Sequence, residues 1–195
     1  WLSQGNEKII NKNQLKIKGE HNISNALAAM ALAGAVNVPT NIMADVLKNF
    51  TGLEHRCQLV REIDNVSWYN DSKATNVGAC IASITGLCEL GNIILIAGGD
   101  SKGADLSGLN PIVKKYIKRV FLFGIDANKL ADVMGSDVDK EFVNNMNEAV
   151  KGASKIADPD DIVLLAPACS SLDMYKNYQQ RGDAFISAID ALPKN

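Results

Sequence analysis

Three short polar stretches of this 195-residue sequence concentrate residue types that handle anions: "NDSKAT" (Asn70 to Thr75), "GGDSKGAD" (Gly98 to Asp105) and "APACSSLD" (Ala166 to Asp173). Lys73 and Lys102 bring ammonium groups, Thr75, Ser170 and Ser171 bring hydroxyls, and Asp71 brings a carboxylate. At helix N-termini, unpaired N–H groups and the helix dipole already favour negative charge. Lysines and hydroxyls placed there suit phosphate or carboxylate. Asp71 would repel such a ligand unless it faced a ribose hydroxyl or a cation, with Lys73 and Arg56 as the nearby cations. Each residue also has a plainer use. Gly98 and Gly99 serve a tight turn, the lysines a solvated surface, Thr75, Ser170 and Ser171 a helix cap, and Asp71 an ordinary turn. What favours the anionic reading is three such loops together.

Their convergence depends on the elements that carry them. After "TGLEHR" the sequence alternates strands and helices. Cys57–Ile63 and Val66–Asn70 read as a strand pair around Asp64 and Asn65, and Val77, Ile81, Ile84 and Cys88 as a helical stripe. "NIILIAGG", "VFLFG" and "DIVLLAP" are short continuous apolar runs of the kind found in strands buried on both faces. "LNPIVKKYIKR" and the segments Ala127–Val133, Met146–Ala157 and Tyr178–Ile189 read as helices between and after them. The expected fold is therefore α/β, a mainly parallel sheet with helices on both faces. In such a sheet ligands bind beyond the carboxyl ends of the strands, the edge from which all three polar loops should project.

The first fifty residues follow another rhythm. "EKIINKNQLKIKG" predicts a hairpin, Lys8–Ile10 with Gln14–Lys18, turning through Asn11–Asn13. Ile23, Leu27, Met30 and Ala31 share one helix face, with Asn22 as its cap, and a second helix capped by Thr40 covers Asn41 to Phe50. A boundary near Leu53 is expected, with residues 1–53 the end of a domain whose beginning is missing and 54–195 a domain of their own. The absence of an initiator methionine fits that expectation.

Composition bounds the rest. With 47% hydrophobic and 22% charged residues the chain can bury a substantial core, and a net charge of −2 gives no reason to expect nucleic acid as its main partner. No apolar run reaches the roughly 18 residues of a membrane span. Cys57, Cys80, Cys88 and Cys169 form no C-x-x-C pair, and with two histidines a structural zinc site is not expected. Reduced thiols in a cytoplasmic protein are expected instead. His21, beside a helix start, reads as structural rather than as a base, and Cys169 as a small buried residue rather than a nucleophile. Neither G-x-G-x-x-G nor G-x-x-x-x-G-K-[ST] occurs.

"GEHNISNALAAMALA", "TGLEHR", "NDSKATN", "GGDSKGADL" and "LLAPACSSLDMYKNYQQRG" occur in the order seen in the Mur ligases, and over nearly its whole length the chain resembles the members that add D-glutamate. The resemblance implies three domains, of which this chain would hold the end of a central ATPase domain and a C-terminal Rossmann-like domain. The N-terminal domain, most of the central domain, the ATP loop and the Mg2+ ligands would lie upstream. It implies an ATP-dependent ligase of peptidoglycan synthesis, in which ATP activates the carboxylate of UDP-N-acetylmuramoyl-L-alanine as an acyl phosphate and the amine of D-glutamate attacks it. By motif, Asn22 and Asn25 would approach the adenine, Arg56 the ATP phosphates and Asp71 the ribose. Lys73 would steady the transferring phosphoryl or the oxyanion, while Thr75, Lys102, Ser171 and the backbone near Tyr178 would hold D-glutamate. Tyr175 and Tyr178 stand where phenylalanine is common in the family. No metal ligand is expected within the chain, which would be inactive alone. Two other classes fit the loops without the resemblance: a stand-alone binding module for an acidic amino acid or nucleotide, and a Rossmann-like domain with a purely structural role.

Overall fold

The structure, a computed structural model, describes residues 1–17 and 19–193, with His21 described by its backbone alone. The chain divides into two compact units, Trp1–Leu53 and Glu54–Asn195.

In the first unit, β1 (Leu2–Gln4) pairs antiparallel with β2 (Glu7–Ile10) around Gly5, whose φ of +58° glycine adopts without steric cost. This corrects the expected hairpin of Lys8–Ile10 with Gln14–Lys18, of which Lys18 lies outside the described residues. The asparagine-rich segment closes on itself instead. Asn11 Oδ1 accepts the Asn13 N–H at 2.9 Å, Gln14 Oε1 accepts the Asn11 N–H at 3.3 Å, and Lys12–Gln14 forms a turn of 3-10 helix. Helix α1 (Glu20–Ala35) starts at Gly19, so Asn22 lies in its first turn and not at its cap. Among its described side chains Ala26 and Met30 are buried, while Leu27, placed on that face by spacing, is 43% exposed. From Ala26 onward this helix is alanine-rich and apolar all round, which gives periodicity little contrast to work with. Helix α2 (Thr40–Asn49) begins after Pro39, and Thr40 donates its hydroxyl to Glu7 Oε1 rather than capping. Leu2, Ile10, Leu15, Met43 and Leu47 complete this unit's core.

The second unit is a six-stranded sheet of order β3-β4-β8-β5-β6-β7. Strands β3 (Gln58–Ile63) and β4 (Val66–Asn70) pair antiparallel through Asp64 and Asn65, both at positive φ. All other neighbours are parallel: β5 (Ile93–Gly98), β6 (Ile117–Phe123), β7 (Asp139–Phe142) and β8 (Ile162–Leu165). Helices α3 (Val77–Leu87), α4 (Leu109–Tyr116) and α5 (Ala127–Met134) cover one face. Helices α6 (Met146–Ile156) and α7 (Tyr178–Asp190) cover the other. The expected α/β architecture is present. Strand β7 went unpredicted because its sequence, Asp-Lys-Glu-Phe, is a charged, exposed edge, the kind that discourages further pairing. Strand β6 claims Ile117–Arg119, expected as the end of the preceding helix.

The order explains where a ligand would go. Strand β8 lies between β4 and β5, yet it feeds α7 on one face while β4 and β5 feed α3 and α4 on the other. Where neighbouring connections part to opposite faces, a crevice opens at the carboxyl ends of the strands.

Candidate active site

That crevice is a cleft of about 270 Å³, lined by Lys73, Thr75, Asp100, Ser101, Lys102, Ser170, Ser171, Leu172, Asn177 and Tyr178. The loops after β4, β5 and β8 meet there, so Lys73, Thr75, Lys102, Ser171 and Tyr178, five of the residues singled out from sequence, share one cavity. Asn22, Asn25, Arg56 and Asp71 are not among its lining residues. Asn22 and Asn25 belong to the first unit, where Asn25 Nδ2 lies 3.5 Å from Asn22 Oδ1, one turn along α1. Arg56 is exposed. Asp71 is buried and accepts a hydrogen bond from Ser83 Oγ, and its own N–H donates to Leu165 O at 2.8 Å.

The β4 loop is built as a tight turn. Asn70, wholly buried, accepts the Ser72 N–H at 3.1 Å and donates to the Gly182 carbonyl at 3.3 Å. With its oxygen so engaged, its Nδ2 faces His55 Nδ1 at 3.1 Å as a donor. This network assigns the imidazole proton to Nε2, which faces Asp183 Oδ1 at 3.7 Å. The His55 carbonyl accepts the Lys73 N–H at 3.0 Å. The Lys73 ammonium then rests 4.1 Å from the centre of the Tyr178 ring, a cation–π contact. The Tyr178 carbonyl is taken by Ser72 Oγ at 2.7 Å.

The β5 loop holds Lys102 at φ +53°, a left-handed conformation uncommon for any residue but glycine. Asp100 Oδ1 accepts the Lys102 N–H at 2.8 Å and so supports that turn. Asp126, in the loop after β6, accepts both the N–H and the hydroxyl of Ser101 on Oδ2, at 2.8 and 2.6 Å. The β5 and β8 loops are joined by a two-bond bridge between Asp100 and Ser170. Ser170 therefore pairs with a strand-end loop rather than capping a helix, and the cap of α7 is Asn177, which accepts the Gln180 N–H at 2.8 Å.

One residue ties all three loops together, and sequence reasoning missed it. Arg181, on α7, is fully buried. It donates to Ser72 Oγ at 3.1 Å, Ser72 O at 2.9 Å, Cys169 O at 3.1 Å and Gly98 O at 3.3 Å. None of these acceptors is a carboxylate. Burial pulls its pKa down to about 10, still far above neutrality, so a full positive charge sits beneath the cleft. A signal did exist: Arg181 shares a helix face with Phe185, Ala188 and Ile189, and an arginine in an apolar stripe has a buried task. Cys169 is wholly buried, and desolvation pushes its thiol up to about 12, which suits packing and not nucleophilic attack. All four cysteines are free thiols. Among the described residues no three His, Cys, Asp or Glu side chains converge as a metal would require, and no helix is long and apolar enough to cross a membrane.

Two ammonium groups over a buried guanidinium, with hydroxyls and the first turn of a 13-residue helix, make a cradle for a ligand with more than one negative charge. The chain is 43% identical to UDP-N-acetylmuramoylalanine--D-glutamate ligase of Acinetobacter baylyi, aligned over 98% of this chain and 44% of that protein. It is 48% identical to the protein of the same name from Pseudomonas aeruginosa, over 98% of this chain and 43% of that one. The chain thus spans less than half the length of the curated relatives it matches. In three dimensions it is similar to MurF ligase from Thermotoga maritima solved in complex with ADP, with a TM-score of 0.65 and 15% identity over 88% of this chain and 39% of that one. Residues 55–169 match the family described as "Mur ligase, glutamate ligase domain", and the chain belongs to that family.

Proposed function

We propose that this chain is part of an ATP-dependent ligase that joins D-glutamate to UDP-N-acetylmuramoyl-L-alanine in peptidoglycan synthesis, and that the cleft of the second unit receives D-glutamate. The observation that carries the reading is the gathering of Lys73, Thr75, Lys102, Ser171 and Tyr178 around one cavity at the carboxyl ends of three adjacent parallel strands. A dicarboxylic amino acid needs two anion contacts set apart, and Lys73 and Lys102 stand on different loops. The names of the relatives point to the same substrate.

In this reading ATP transfers its terminal phosphoryl group to the carboxylate of UDP-N-acetylmuramoyl-L-alanine, giving an acyl phosphate and ADP. The amine of D-glutamate attacks the acyl carbon, a proton leaves the nitrogen, and phosphate departs as the amide forms. Lys73 steadies the charge that builds on the phosphoryl or carbonyl oxygens, moving off the Tyr178 ring to do so. Thr75, Lys102 and Ser171 orient D-glutamate so that its amine is already aligned. Asn22 and Asn25 are assigned to adenine, Arg56 to the ATP phosphates and Asp71 to ribose. The ligands of any Mg2+ are assigned to other parts of the ligase, and no step is derived through it. The proposed location is the cytoplasm.

Kinetics of the intact ligase carrying Lys73→Ala or Thr75→Ala test the proposal. Lys73→Ala should lower kcat by about 10² to 10³, the usual consequence of deleting a group that stabilises developing charge. Thr75→Ala should act mainly on KM for D-glutamate. Near-normal kinetics for both would remove the assignment.

A further inference from the structure

We infer that Asp126, which is absent from the cleft lining, is the positioning residue for Lys102 and thereby sets the affinity for the amino-acid substrate. The inference rests on the reading of Lys102 proposed above. Asp126 is 5% exposed, in the loop after β6. Its N–H donates to Gly99 O at 3.1 Å, and its Oδ2 accepts the N–H and hydroxyl of Ser101. It therefore grips the β5 loop on both sides of Asp100. Asp100 in turn is fixed by two backbone bonds to Ser170, and its carboxylate holds the Lys102 N–H. Lys102 is exposed and follows directly on these restrained residues, so the place from which its side chain starts is set by the clamp and not by packing of its own.

The clamp works as an anion. Oδ1 of Asp126 pairs with Lys129 at 2.6 Å, and together with the Ser101 bonds this keeps the carboxyl at about 2, fully ionised near neutrality. Asparagine at this position would offer Ser101 one neutral acceptor and would lose the pairing with Lys129. The β5 loop would then sample more positions, and Lys102 would meet a substrate carboxylate less often in the right place. ATP, assigned to other residues, would be unaffected.

The test is steady-state kinetics of the intact ligase with Asp126→Asn, Ser101→Ala, Lys102→Ala and the double variant Lys102→Ala/Asp126→Asn. Expected are rises in KM for D-glutamate of about tenfold for Lys102→Ala, about fivefold for Asp126→Asn and about twofold for Ser101→Ala, with KM for ATP unchanged. Asp126→Asn should add nothing in the Lys102→Ala background, because its effect passes through that lysine. Four results overturn the inference: a wild-type KM for Asp126→Asn beside a raised one for Lys102→Ala, a wild-type KM for Ser101→Ala, a parallel rise in KM for ATP, or a full additive effect in the double variant. Should Lys102→Ala itself leave KM for D-glutamate unchanged, the substrate reading of the cleft fails first, and the role of Asp126 goes with it.

Discussion

Replacing Arg181 with methionine removes a guanidinium of similar length and leaves its acceptors in place. The four hydrogen bonds it donates, at about 1.5 kcal/mol each for a charged donor, come to about 6 kcal/mol. Against this stands the cost of burying the charge. A pKa pulled down to about 10 implies a penalty of about 3 kcal/mol, which methionine escapes. The net expectation is a loss of about 3 kcal/mol, in line with deleting one side of a buried charged contact. Urea unfolding at pH 7 in a Trp1→Phe background measures it, because Trp68, 1% exposed within the second unit, then reports on that unit alone. At a urea dependence of about 2 kcal/mol per molar, the midpoint should fall by about 1.5 M with an unchanged slope. Arg181→Lys should recover little, since an ammonium cannot span carbonyls on three loops. A loss below about 1 kcal/mol for methionine, or full recovery with lysine, would refute the view of Arg181 as the tie between the loops.

Other consequences are open to the same measurements. Asn76→Ala deletes the cap of α3, whose Oδ1 accepts the Ala79 N–H at 2.9 Å, and should cost about 1 kcal/mol, with no loss indicating that the cap is replaced by water. In a helix interior alanine normally gains about 1 kcal/mol over glycine. Gly182→Ala should reverse that sign, because a Cβ there would overlap the His55 ring, and a stabilised variant would show that His55 yields freely. Asp126 adds a pH signature. Its carboxyl lies lower in the folded chain, about 2, than the usual unfolded value near 3.9, so the stability it confers is complete above about pH 4 and lost as pH falls through 2. Urea midpoints of wild type and Asp126→Asn should therefore differ at pH 7 and approach one another as the pH drops from 4 towards 2, whereas a constant gap would show that the charge of Asp126 is not what stabilises the loop.

Much of the second unit could be read from residue order, because its central strands β5, β6 and β8 are unbroken apolar runs that only a doubly covered sheet accommodates. The Asp64–Asn65 turn was legible too, since both residues tolerate the positive φ that a two-residue hairpin demands. What escaped were features set by partners distant in sequence. The hairpin was misplaced because "KNQLKIK" alternates like a strand while Asn11 and Gln14 bond locally. The cleft residues were found through loops that follow strand ends, yet the residues that hold them, Arg181, His55, Asn70 and Asp126, were not. Arg181 lies 109 residues from Ser72, and Asp126 lies 25 from Ser101, separations over which no local pattern operates. The apolar stripe around Arg181 signals its burial but not its partners, and a carboxylate such as Asp126 that serves the backbone of another loop looks, in a sequence, like ordinary surface charge.

The two-bond bridge between Asp100 and Ser170 has a bearing on how such a cleft changes over time. It is made wholly of main-chain atoms, so it is indifferent to the side chains that flank it. Drift at Ser170 or Leu172 alters what an incoming molecule touches without altering the width of the opening it enters. Selectivity can wander at this edge of the sheet while the frame that carries it stays put.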